Sequence, residues 1–486
     1  MANEGIYRYD VVVVGCGIAG LSAALSAREC GAHVAVLERA PEAERGGNTR
    51  YSGAILRMAS ETEVAPDFEE HFARQAGYHL VPEMVAETAA DYANWPAVIK
   101  TMPSADPEVI STFAADAPGA VAWLKEQGIR FGEASFFGLT KRTSPRIAVE
   151  GAGLALVETL APRALERGVD FHYETTARSL ITDGGRVHGL LASGKDNRPI
   201  RFEAGSVILA CGGFQGNPEM VAHYLGPQGR YLRPVARGGY YDRGEGIRMA
   251  LDIGAAPAGD YSDVHMQAID PRSSIPEPLV TIFVLGILVN RDGMRFVDEA
   301  PGAIDVHGED IVRAINRQPG GTAWCILDGR VDDVNNWKRC VRSDQPAIET
   351  GSLAEMADAI GVPAAAFKRT VEDYNAACVG GDFDPFRVDG VSTENLTPPK
   401  SNWARPILEP PFRSYPIIGS NTFTFGGLKV TPDAQVLNTS GELIPGLYAA
   451  GETIGIYYGV YCSATSVLRG AVFGRRAGLY AAKANA

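Results

Sequence analysis

The sequence predicts an α/β fold that begins with a Rossmann-like βαβ unit, on three observations. Val11–Val14 form a β-branched run typical of a buried parallel strand. Glycines with the spacing GxGxxG follow at 15, 17 and 20, ahead of an alanine- and leucine-rich segment that predicts a helix. A second apolar run, "HVAVLE", then ends in the acidic residue Glu38. Strand, glycine turn, helix and strand therefore follow in the order of a dinucleotide-binding unit.

Each glycine of this turn has its own task. Gly15 allows the tight turn, Gly17 lets backbone approach a pyrophosphate, and Gly20 lets the helix pack on the strand. Glu38 stands where a carboxylate can accept hydrogen bonds from both ribose hydroxyls of an adenosine, which argues against a 2′-phosphate. The unit thus predicts bound FAD or NAD. Its predicted contacts are Gly15, Gly17, Ile18, Ala19, Gly20, Glu38 and Arg39.

Three later segments favour FAD over NAD. The stretch "RGGNTRYSGA" (45–54) offers glycine amides to a second phosphate or to the flavin edge. The run "VILACGGF" (207–214) predicts a buried strand that ends in a double-glycine turn, and "IPGLYAAGE" (444–452) predicts another that ends in Glu452, whose carboxylate can hold a ribityl hydroxyl. The further predicted FAD contacts are Gly46, Gly47, Asn48, Thr49, Ser52, Gly53, Ala210, Gly212, Gly213, Gly451, Glu452, Ser466 and Val467.

Composition and charge exclude several classes of partner. A chain of 486 residues is long enough for two or three packed units. Its net charge of −13 and the lack of a basic run argue against nucleic acid or an anionic membrane surface. Seven scattered cysteines show no metal-ligand spacing and indicate reduced thiols. We therefore expect a cytoplasmic protein without a metal, a signal peptide or a transmembrane segment.

A set of motifs spans nearly the whole chain, including "GGNTR", "ACGGFQGNPEM", "GEGIRMALDIGAAP", "VNRDGMRFVDE", "PPKSNWA", "TFTFGGLKV" and "GAVFGRRAG". On these motifs the sequence resembles the fumarate reductase and succinate dehydrogenase flavoprotein superfamily, and most of all its tricarballylate dehydrogenase-like branch. The resemblance implies an FAD-binding domain built from 1–261 and 425–486, with an inserted α+β cap domain at 262–424. It also implies noncovalent FAD, because Asn48 stands where succinate dehydrogenases carry the histidine that bonds flavin.

The same resemblance shows that charged groups of fumarate reductases are missing here. No arginine occurs between Glu299 and Arg313, where the proton-donating arginine is expected; Ile304 and His307 stand in that region. Phe423 replaces a carboxylate-binding histidine. Because a carboxylate buried without a cation is strongly disfavoured, we expect a weakly charged or apolar substrate in contact with Phe423, His307 and Ile304.

Residues 455–466, "GIYYGVYCSATS", precede a predicted helix and supply the candidate proton donors. Tyr461 matches a tyrosine with which 3-ketosteroid dehydrogenases, distant members of the superfamily, hydrogen-bond the substrate ketone. A phenol is a neutral donor that can polarise a carbonyl or protonate a forming enolate. His265 stands about where the superfamily keeps an active-site histidine. Tyr457 and Tyr458 are further candidates, although adjacent residues in an extended stretch point to opposite faces.

These observations predict an FAD-dependent dehydrogenase or ene-reductase. It would interconvert a C–C single bond and a C=C double bond next to a carbonyl by hydride transfer at flavin N5. Since there is no second GxGxxG unit, electrons are expected from or to a separate partner. Two alternatives stay open. One is a tricarballylate-type polycarboxylate dehydrogenase with cations from Arg50, Arg57, Arg142 or Arg237, and the other is a flavin-binding electron-transfer subunit without substrate chemistry of its own.

Overall fold

The computed structural model describes residues 6–74, 104–134, 138–140 and 144–485. Its strands are β1 (Ile6–Val14), β2 (Val34–Leu37), β3 (Ile55–Leu56), β4 (Phe131–Glu133), β5 (Ile147–Val149), β6 (Asp170–His172), β7 (Thr176–Asp183), β8 (Arg186–Ser193), β9 (Pro199–Leu209), β10 (Arg233–Pro234), β11 (Pro257–Ala258), β12 (Val264–Ile269), β13 (Ile287–Val289), β14 (Thr322–Leu327), β15 (Ile348–Thr350), β16 (Phe412–Thr424), β17 (Gly427–Leu428), β18 (Gln435–Leu437) and β19 (Leu443–Ala449).

The helices of the described residues alternate with these strands, which confirms the predicted mixed α/β class. None of these helices combines the length and the apolar character needed to cross a bilayer. They are α1 (Ile18–Glu29), α2 (Gly47–Tyr51), α3 (Phe68–Arg74), α4 (Pro107–Glu126), α5 (Ala152–Glu166), α6 (Pro218–Leu225), α7 (Glu245–Leu251), α8 (Ile304–Asn316), α9 (Leu353–Ile360), α10 (Ala364–Ala377) and α11 (Ser466–Lys483).

The larger sheet has the strand order β18-β19-β9-β1-β2-β6, and β8 and β7 extend it from β9. Its strands β19, β9, β1, β2 and β6 run parallel. Val11–Val14 pair with Val34–Leu37 on one side and with β9 on the other, and all four valines are buried. Strands covered on both faces are expected to be apolar along their whole length, which explains the β-branched run. Because β19 joins this sheet, residues from both ends of the chain build it.

The turn between β1 and α1 has the geometry predicted from its glycines. Gly15 has a φ of +108°, and a Cβ atom there would lie 2.3 Å from the carbonyl oxygen of Ala210. A Cβ atom on Gly20 would lie 1.9 Å from the carbonyl oxygen of Gly15. Both positions therefore need glycine, one for its dihedral angle and both for close backbone approach.

Helix α11 packs along α1 through glycines of its own. A Cβ atom on Gly474 would lie 2.3 Å from the carbonyl oxygen of Ala19, and one on Gly478 would lie 2.2 Å from that of Ala23. The two helix backbones can approach this closely only because the side chains are absent. The contact holds the amino terminus of α11 beside the glycine turn.

A second sheet contains β10, β16, β14 and β13 in that order, with β12 and β15 also paired to the long strand β16. Its strands run from Arg233 to Thr424 along the chain. It therefore includes β10, which lies ahead of the predicted cap segment 262–424; the boundaries of that cap stay a prediction. Helix α8 packs on β12 and β16. This arrangement brings the strands that carry His265 and Phe423 next to the helix that replaces the missing arginine segment.

Candidate active site

A cleft opens at the carboxyl ends of the parallel strands β1, β2, β9 and β19. Ligands of open α/β sheets bind at this edge. The predicted FAD contacts that line it are Gly15, Gly17, Ile18, Ala19, Glu38, Arg39, Gly46, Gly47, Asn48, Thr49, Ser52, Ala210, Gly212, Gly451, Glu452, Ser466 and Val467.

Three glycines predicted as FAD contacts do not line this cleft. Gly20 instead packs against Gly15, as the third glycine of the motif does when it joins helix to strand. A Cβ atom on Gly213 would lie 2.3 Å from Oε1 of Glu452, so this glycine makes room for that carboxylate. Gly53 faces the side chain of Ile55. These contacts are packing contacts, and the predicted contact of the three glycines with FAD stays a prediction.

Glu38 is buried at the end of β2, where the sequence places the ribose-binding carboxylate. Its Oε2 accepts a hydrogen bond from the amide of Cys16 at 3.2 Å, and its Oε1 accepts one from the amide of Ala40 at 2.9 Å. Burial raises the pKa of Glu38, although the backbone amides oppose the shift. The bond to Cys16 holds the carboxylate against the glycine turn.

Two further carboxylates, Glu452 and Asp242, also line the cleft. Oε1 of Glu452 accepts a hydrogen bond from the amide of Thr424 at 2.9 Å. The amide nitrogen of Gln215 donates to Oδ2 of Asp242 at 2.7 Å and to Oε2 of Glu452 at 3.3 Å. Burial raises the pKa of Asp242 well above its usual value, and the neighbouring Glu452 and Glu38 add to the shift. Both carboxyl groups can thus hold ligand hydroxyls.

The groups in this cleft fit a flavin dinucleotide. Gly46 has a φ of +108° and Gly47 a φ of +51°, so bare backbone lines the wall at the start of α2. Nδ2 of Asn48 donates to the carbonyl oxygen of Thr422 at 2.8 Å. Oδ1 of Asn48 is buried and has no hydrogen-bond partner among the described groups. A ligand N–H would satisfy this acceptor, whose isolation otherwise costs about 1–3 kcal/mol.

Tyr461 lies at the amino terminus of α11, and its hydroxyl is fully engaged there. The hydroxyl accepts hydrogen bonds from the amides of Thr465 and Ser466, both at 2.9 Å, and donates to Oγ of Ser466 at 3.0 Å. Burial raises the pKa of Tyr461, while these bonds oppose the shift. Tyr461 is therefore a neutral phenol beside Ser466, which lines the cleft. Its catalytic role stays a prediction.

The hydroxyls of the other two tyrosines of this segment also have partners within the protein. Tyr457 is buried, its hydroxyl is 2.8 Å from Oγ1 of Thr465, and its ring stacks on Phe72 with centroids 5.7 Å apart. The hydroxyl of Tyr458 accepts a hydrogen bond from the amide of Gly259 at 2.8 Å. Tyr458 lines a separate cleft and not the cofactor cleft. Neighbours in extended backbone diverge in this way. The predicted catalytic roles of Tyr457 and Tyr458 stay predictions.

An aromatic wall adjoins the cofactor cleft; we use this name for His265, Phe423, Phe425, Tyr457 and Tyr461. His265 and Phe423 are partners in the register of β12 and β16, with ring centroids 5.2 Å apart. Tyr461 lies 4.5 Å from the ring of His265 and 4.9 Å from that of Phe423. Phe423 itself lines the cleft. Two of the predicted site residues, His265 and Phe423, are thus brought together with Tyr461.

The structure also places a carboxylate on His265. Oε1 of Glu309 on α8 lies 2.5 Å from Nδ1 of His265 and accepts the amide of Met266 at 3.1 Å. Oε2 of Glu309 accepts the amide of Tyr461 at 3.4 Å. Sequence reasoning missed Glu309, because 44 residues separate it from His265 along the chain. The only local signal is its spacing of four from Arg313 on a helix face.

His307 and Ile304 occupy the first turns of α8 and do not line the cofactor cleft. Ile304 is half-buried and packs against the main core. His307 is also half-buried, and its Nε2 would lie 2.8 Å from a Cβ atom on Gly302. Their predicted contact with substrate is therefore not supported by the cleft lining and stays a prediction.

Three of the four arginines proposed for a polycarboxylate substrate are paired with carboxylates in the protein. Arg57 is 2% exposed and paired within the protein, whereas the side chain of Arg237 is 67% exposed. Arg142 lies outside the described residues. The pairs are Arg50 with Glu158, Arg57 with Asp67 and Arg237 with Glu44.

Arg469 is different, because it lines the cofactor cleft and has no carboxylate at ion-pair distance among the described residues. One terminal nitrogen donates to the carbonyl oxygen of Ile454 at 3.0 Å. Its guanidinium carbon lies 4.6 Å from the ring centroid of Tyr457 and 5.8 Å from that of Phe423. Its Nε is buried without a partner. A buried cation thus stands beside the aromatic wall.

A family model described as an FAD binding domain matches residues 10–468 of the chain. The chain belongs to this FAD-binding family. The predicted cofactor, FAD, is therefore confirmed, whereas its noncovalent attachment stays a prediction. Of the residues that line the cleft, all but Arg469 and Gly470 lie within the matched range.

Known relatives of this flavoprotein are reductases and dehydrogenases. The NADH:fumarate oxidoreductase of Klebsiella pneumoniae is 28% identical over 484 residues, which cover 98% of this chain but 48% of that protein. The vinyl phenol reductase of Lactiplantibacillus plantarum is 27% identical, over 98% of this chain and 96% of that protein. The structure of a 3-ketosteroid-Δ4-(5α)-dehydrogenase from Rhodococcus jostii, in complex with 4-androstene-3,17-dione, matches with a TM-score of 0.67 and 27% identity over 99% of this chain and 98% of that one. The predicted class, an FAD-dependent oxidoreductase related to the fumarate reductases, is confirmed.

Proposed function

We propose that this flavoprotein interconverts a C–C single bond and a C=C double bond next to a carbonyl group, in a substrate with little negative charge. The observation that carries the proposal is the aromatic wall. Phe423, the member of this wall that lines the cleft, stands where the resemblance to fumarate reductases predicts a carboxylate-binding histidine. Apolar surface with a few polar groups suits an uncharged carbonyl compound.

The charges around the cleft support the same substrate class. A dicarboxylate or tricarboxylate needs several cations, because each buried carboxylate without one loses most of its hydration energy. Arg50 and Arg57 are held by Glu158 and Asp67. Arg469 supplies one positive charge, which does not match two or three substrate carboxylates. The polycarboxylate alternative is therefore not favoured.

FAD supplies hydride exchange with the substrate carbon when it is bound. The chain itself must hold the carbonyl oxygen and exchange one proton at the α carbon. The Tyr461 hydroxyl is a neutral donor at the amino terminus of α11, and it can serve the carbonyl oxygen by exchanging its bond to Oγ of Ser466 for one to the substrate. His265 lies next to Tyr461, with ring centroids 4.5 Å apart.

The names of the relatives span both charged and uncharged compounds. Fumarate is a dicarboxylate, whereas vinyl phenol and 4-androstene-3,17-dione carry no carboxylate. The latter two are named for proteins that this chain covers almost completely.

We also propose that FAD is bound noncovalently, since no histidine occurs among the described residues that line the cleft. Electrons then pass to or from a separate partner, because no second glycine turn of the GxGxxG type occurs in the sequence.

An anaerobic spectroscopic assay tests this function. Purified protein is reduced with dithionite, and the return of flavin absorbance near about 450 nm is followed after addition of 2-cyclohexenone, 4-androstene-3,17-dione, 4-vinylphenol or fumarate. The oxidised protein is tested in the same way with saturated ketones and a phenazine dye. We expect enones or ketones to change the spectrum and to be turned over.

Two results would contradict the proposal. Turnover confined to fumarate and other polycarboxylates would show that cations outside the described residues hold the substrate. A spectrum that no candidate compound changes in either direction, in a protein that a dye or electrode still reduces, would favour an electron-transfer subunit.

A further inference from the structure

A buried polar chain leads away from the aromatic wall along α8; we use this name for His265, Glu309, Arg313 and Asp263. Nδ1 of His265 is 2.5 Å from Oε1 of Glu309, and Oε2 of Glu309 is 3.7 Å from the Arg313 guanidinium. The same guanidinium lies 3.1 Å from Oδ2 of Asp263. The four side chains are only 10–16% exposed. A carboxylate and a guanidinium thus connect the histidine of the wall to a second carboxylate.

Three parts of the fold, α8, β12 and the loop before α11, hold the buried polar chain in place. Glu309 and Arg313 are four residues apart on α8, so both side chains lie on the face that packs against β12. The amide of Met266 on β12 donates to Oε1 of Glu309 at 3.1 Å. The loop before α11 adds two hydrogen bonds. The backbone N–H of Tyr461 donates to Oε2 of Glu309, and the guanidinium of Arg313 donates to the carbonyl oxygen of Gly459 at 2.8 Å. The chain therefore fixes the histidine and the tyrosine loop relative to each other.

The charges explain which nitrogen of His265 is free to react. Burial alone would raise the pKa of Glu309, but attraction to His265 and Arg313 outweighs it, and the pKa is lowered overall. An ionised Glu309 at Nδ1 keeps a proton on that nitrogen. Nε2 has no hydrogen-bond partner among the described groups. This leaves Nε2 as the nitrogen that can exchange a proton with a substrate.

We propose that His265 is the proton donor and acceptor for the α carbon of the substrate, and that Glu309 and Arg313 are the positioning residues that prepare it. The inference rests on the proposed function, since it requires a carbonyl compound at the aromatic wall. It adds to that function the source of the proton, for which the resemblance to fumarate reductases predicts an arginine between Glu299 and Arg313, where the sequence has none.

The proton balance is simple. In the reducing direction, hydride adds to the β carbon and the electron pair of the C=C bond shifts to the α carbon. That pair takes the proton from Nε2 of His265. The N–H bond at Nε2 breaks as the C–H bond forms, and the neutral imidazole regains a proton from solvent. In the oxidising direction the α proton moves onto Nε2, and the imidazolium releases it to solvent. The carboxylate of Glu309 stabilises the imidazolium form in both directions.

The pH dependence of this step involves every charged group near His265. Glu309 and Arg313 face it from α8, and Tyr461 faces it from the loop. Glu277 is also close enough that attraction to His265 lowers its pKa, although burial raises it more. Asp263 lies two residues away on the chain. Of these, Glu309 is the group in direct contact, so its removal should change the pH profile most.

The test compares Glu309→Gln with the parent protein, using the carbonyl compound that the panel above identifies. We expect kcat to fall by about ten- to a hundredfold while KM changes little, and the pH profile of kcat to shift to lower pH, because the imidazolium loses its counter-charge. Glu309→Asp should restore part of the rate. Asp310→Asn is the matched control; it removes a carboxylate that also contacts Arg313 but is 72% exposed, and it should leave the profile unchanged.

A second measurement follows the proton directly. Oxidised protein is incubated with a saturated ketone in D₂O, and deuterium at the α carbon is detected by NMR; His265→Gln should lose this exchange while its FAD content stays normal. FAD content and thermal unfolding show whether each variant folds, and His265→Gln replaces Glu309→Gln if the latter does not. Unchanged exchange in His265→Gln, or an unchanged pH profile in Glu309→Gln, would overturn this inference and leave the proposed function standing. Absence of turnover with every carbonyl compound would overturn both.

Discussion

The hydroxyl of Tyr461 donates a hydrogen bond to Oγ of Ser466, 3.0 Å away, and so ties the candidate catalytic loop to the first residue of α11. The same oxygen accepts the amides of Thr465 and Ser466. The first N–H groups of a helix lack partners within the helix, and here a phenol satisfies two of them. Tyr461 therefore caps a helix at the place where it is also predicted to meet the substrate.

We expect Tyr461→Phe to lower both the rate of the flavin half-reaction with substrate and the stability of the fold. The buried amides of Thr465 and Ser466 lose their acceptor, which costs about 1–3 kcal/mol. Loss of one neutral donor to a developing enolate lowers the rate by roughly ten- to a thousandfold. Stopped-flow absorbance and thermal unfolding measure the two effects separately.

The control for this variant is Tyr458→Phe. It also removes a phenol from a backbone amide, that of Gly259, but it lies outside the cofactor cleft. Its stability should fall similarly while its rate stays at the parental value. A parental rate in Tyr461→Phe together with a slow Tyr458→Phe would mean that the wrong tyrosine had been chosen.

A charge introduced at Phe423 should be harmful for a specific reason. The ring of Phe423 lies 5.8 Å from the guanidinium carbon of Arg469, so Phe423→Arg would place two cations side by side. Since an unpaired buried charge is strongly disfavoured, turnover of an uncharged substrate should fall at least tenfold. Phe423→Leu, which stays apolar, should retain more activity, and Ile304→Arg, outside the cleft, should have the smaller effect. Equal kinetics for all three variants would place Phe423 outside the substrate site.

The predicted noncovalent FAD can be tested on Glu38. Acid precipitation should release the flavin into the supernatant, whereas flavin retained in the pellet would show a covalent bond. Glu38→Ala removes the carboxylate that lies on the glycine turn, and we expect FAD binding to weaken by about 1–3 kcal/mol. Glu166→Ala, an exposed position at the end of α5, is the control for loss of one carboxylate. The flavin fluorescence of apoprotein titrated with FAD measures both.

The cofactor cleft was predictable from sequence because its determinants are local. Gly15 and Gly20 must be glycine because the backbone approaches closely at both positions, so the motif can be recognised from residue identity alone. Glu38 follows at the end of the next strand. Asp242 was missed although it lines the same cleft, since a single aspartate ahead of a glycine-rich block resembles an ordinary turn residue. Its role depends on Gln215 and Glu452, which only folding brings near.

The proton-handling residues were only partly predictable, because they depend on tertiary contacts. His265 and Phe423 were identified through resemblance, yet Glu309 reaches His265 only when α8 packs on β12. The directions of Tyr457, Tyr458 and Tyr461 likewise follow from backbone angles that residue identity does not determine. Sequence indicates which side chains carry chemistry, and packing decides which of them meet.

A buried lysine on the loop before β16 should make the free energy of unfolding depend on alkaline pH. Nζ of Lys400 donates to the carbonyl oxygens of Val284 and Gly286 and lies 4.0 Å from Glu299. Burial lowers the pKa of Lys400 from 10.5 to about 8. Above that pH the folded protein has released a proton that the unfolded chain keeps, so the free energy of unfolding rises with pH.

The measurement is urea denaturation of the parent protein and of Lys400→Met at pH values from about 7.5 to 10. The free energy of unfolding of the parent should rise relative to the variant across this interval, by on the order of 1–3 kcal/mol. The slope of the difference is the quantity of interest, since the variant also loses two hydrogen bonds at every pH. A difference that stays flat, or falls, would show that Lys400 keeps an ordinary pKa in the folded protein.

Arg469 should tune the redox potential of the flavin. Arg469 is the fourth residue of α11, is 1% exposed and lines the cleft. It has no ion-pair partner among the described residues. A buried cation stabilises the more negative, reduced state of a nearby cofactor, so Arg469→Met should lower the midpoint potential of bound FAD. A lost interaction of about 1.4 kcal/mol equals about 30 mV for a two-electron couple. Arg476→Met, on the same helix but paired with Asp116 and Asp433, is the control and should keep the parental potential. The midpoint potentials are measured by equilibration with a reference dye. Equal potentials for Arg469→Met and the parent protein would show that Arg469 does not act on the flavin. A raised KM for substrate in the same variant would assign Arg469 to substrate binding instead.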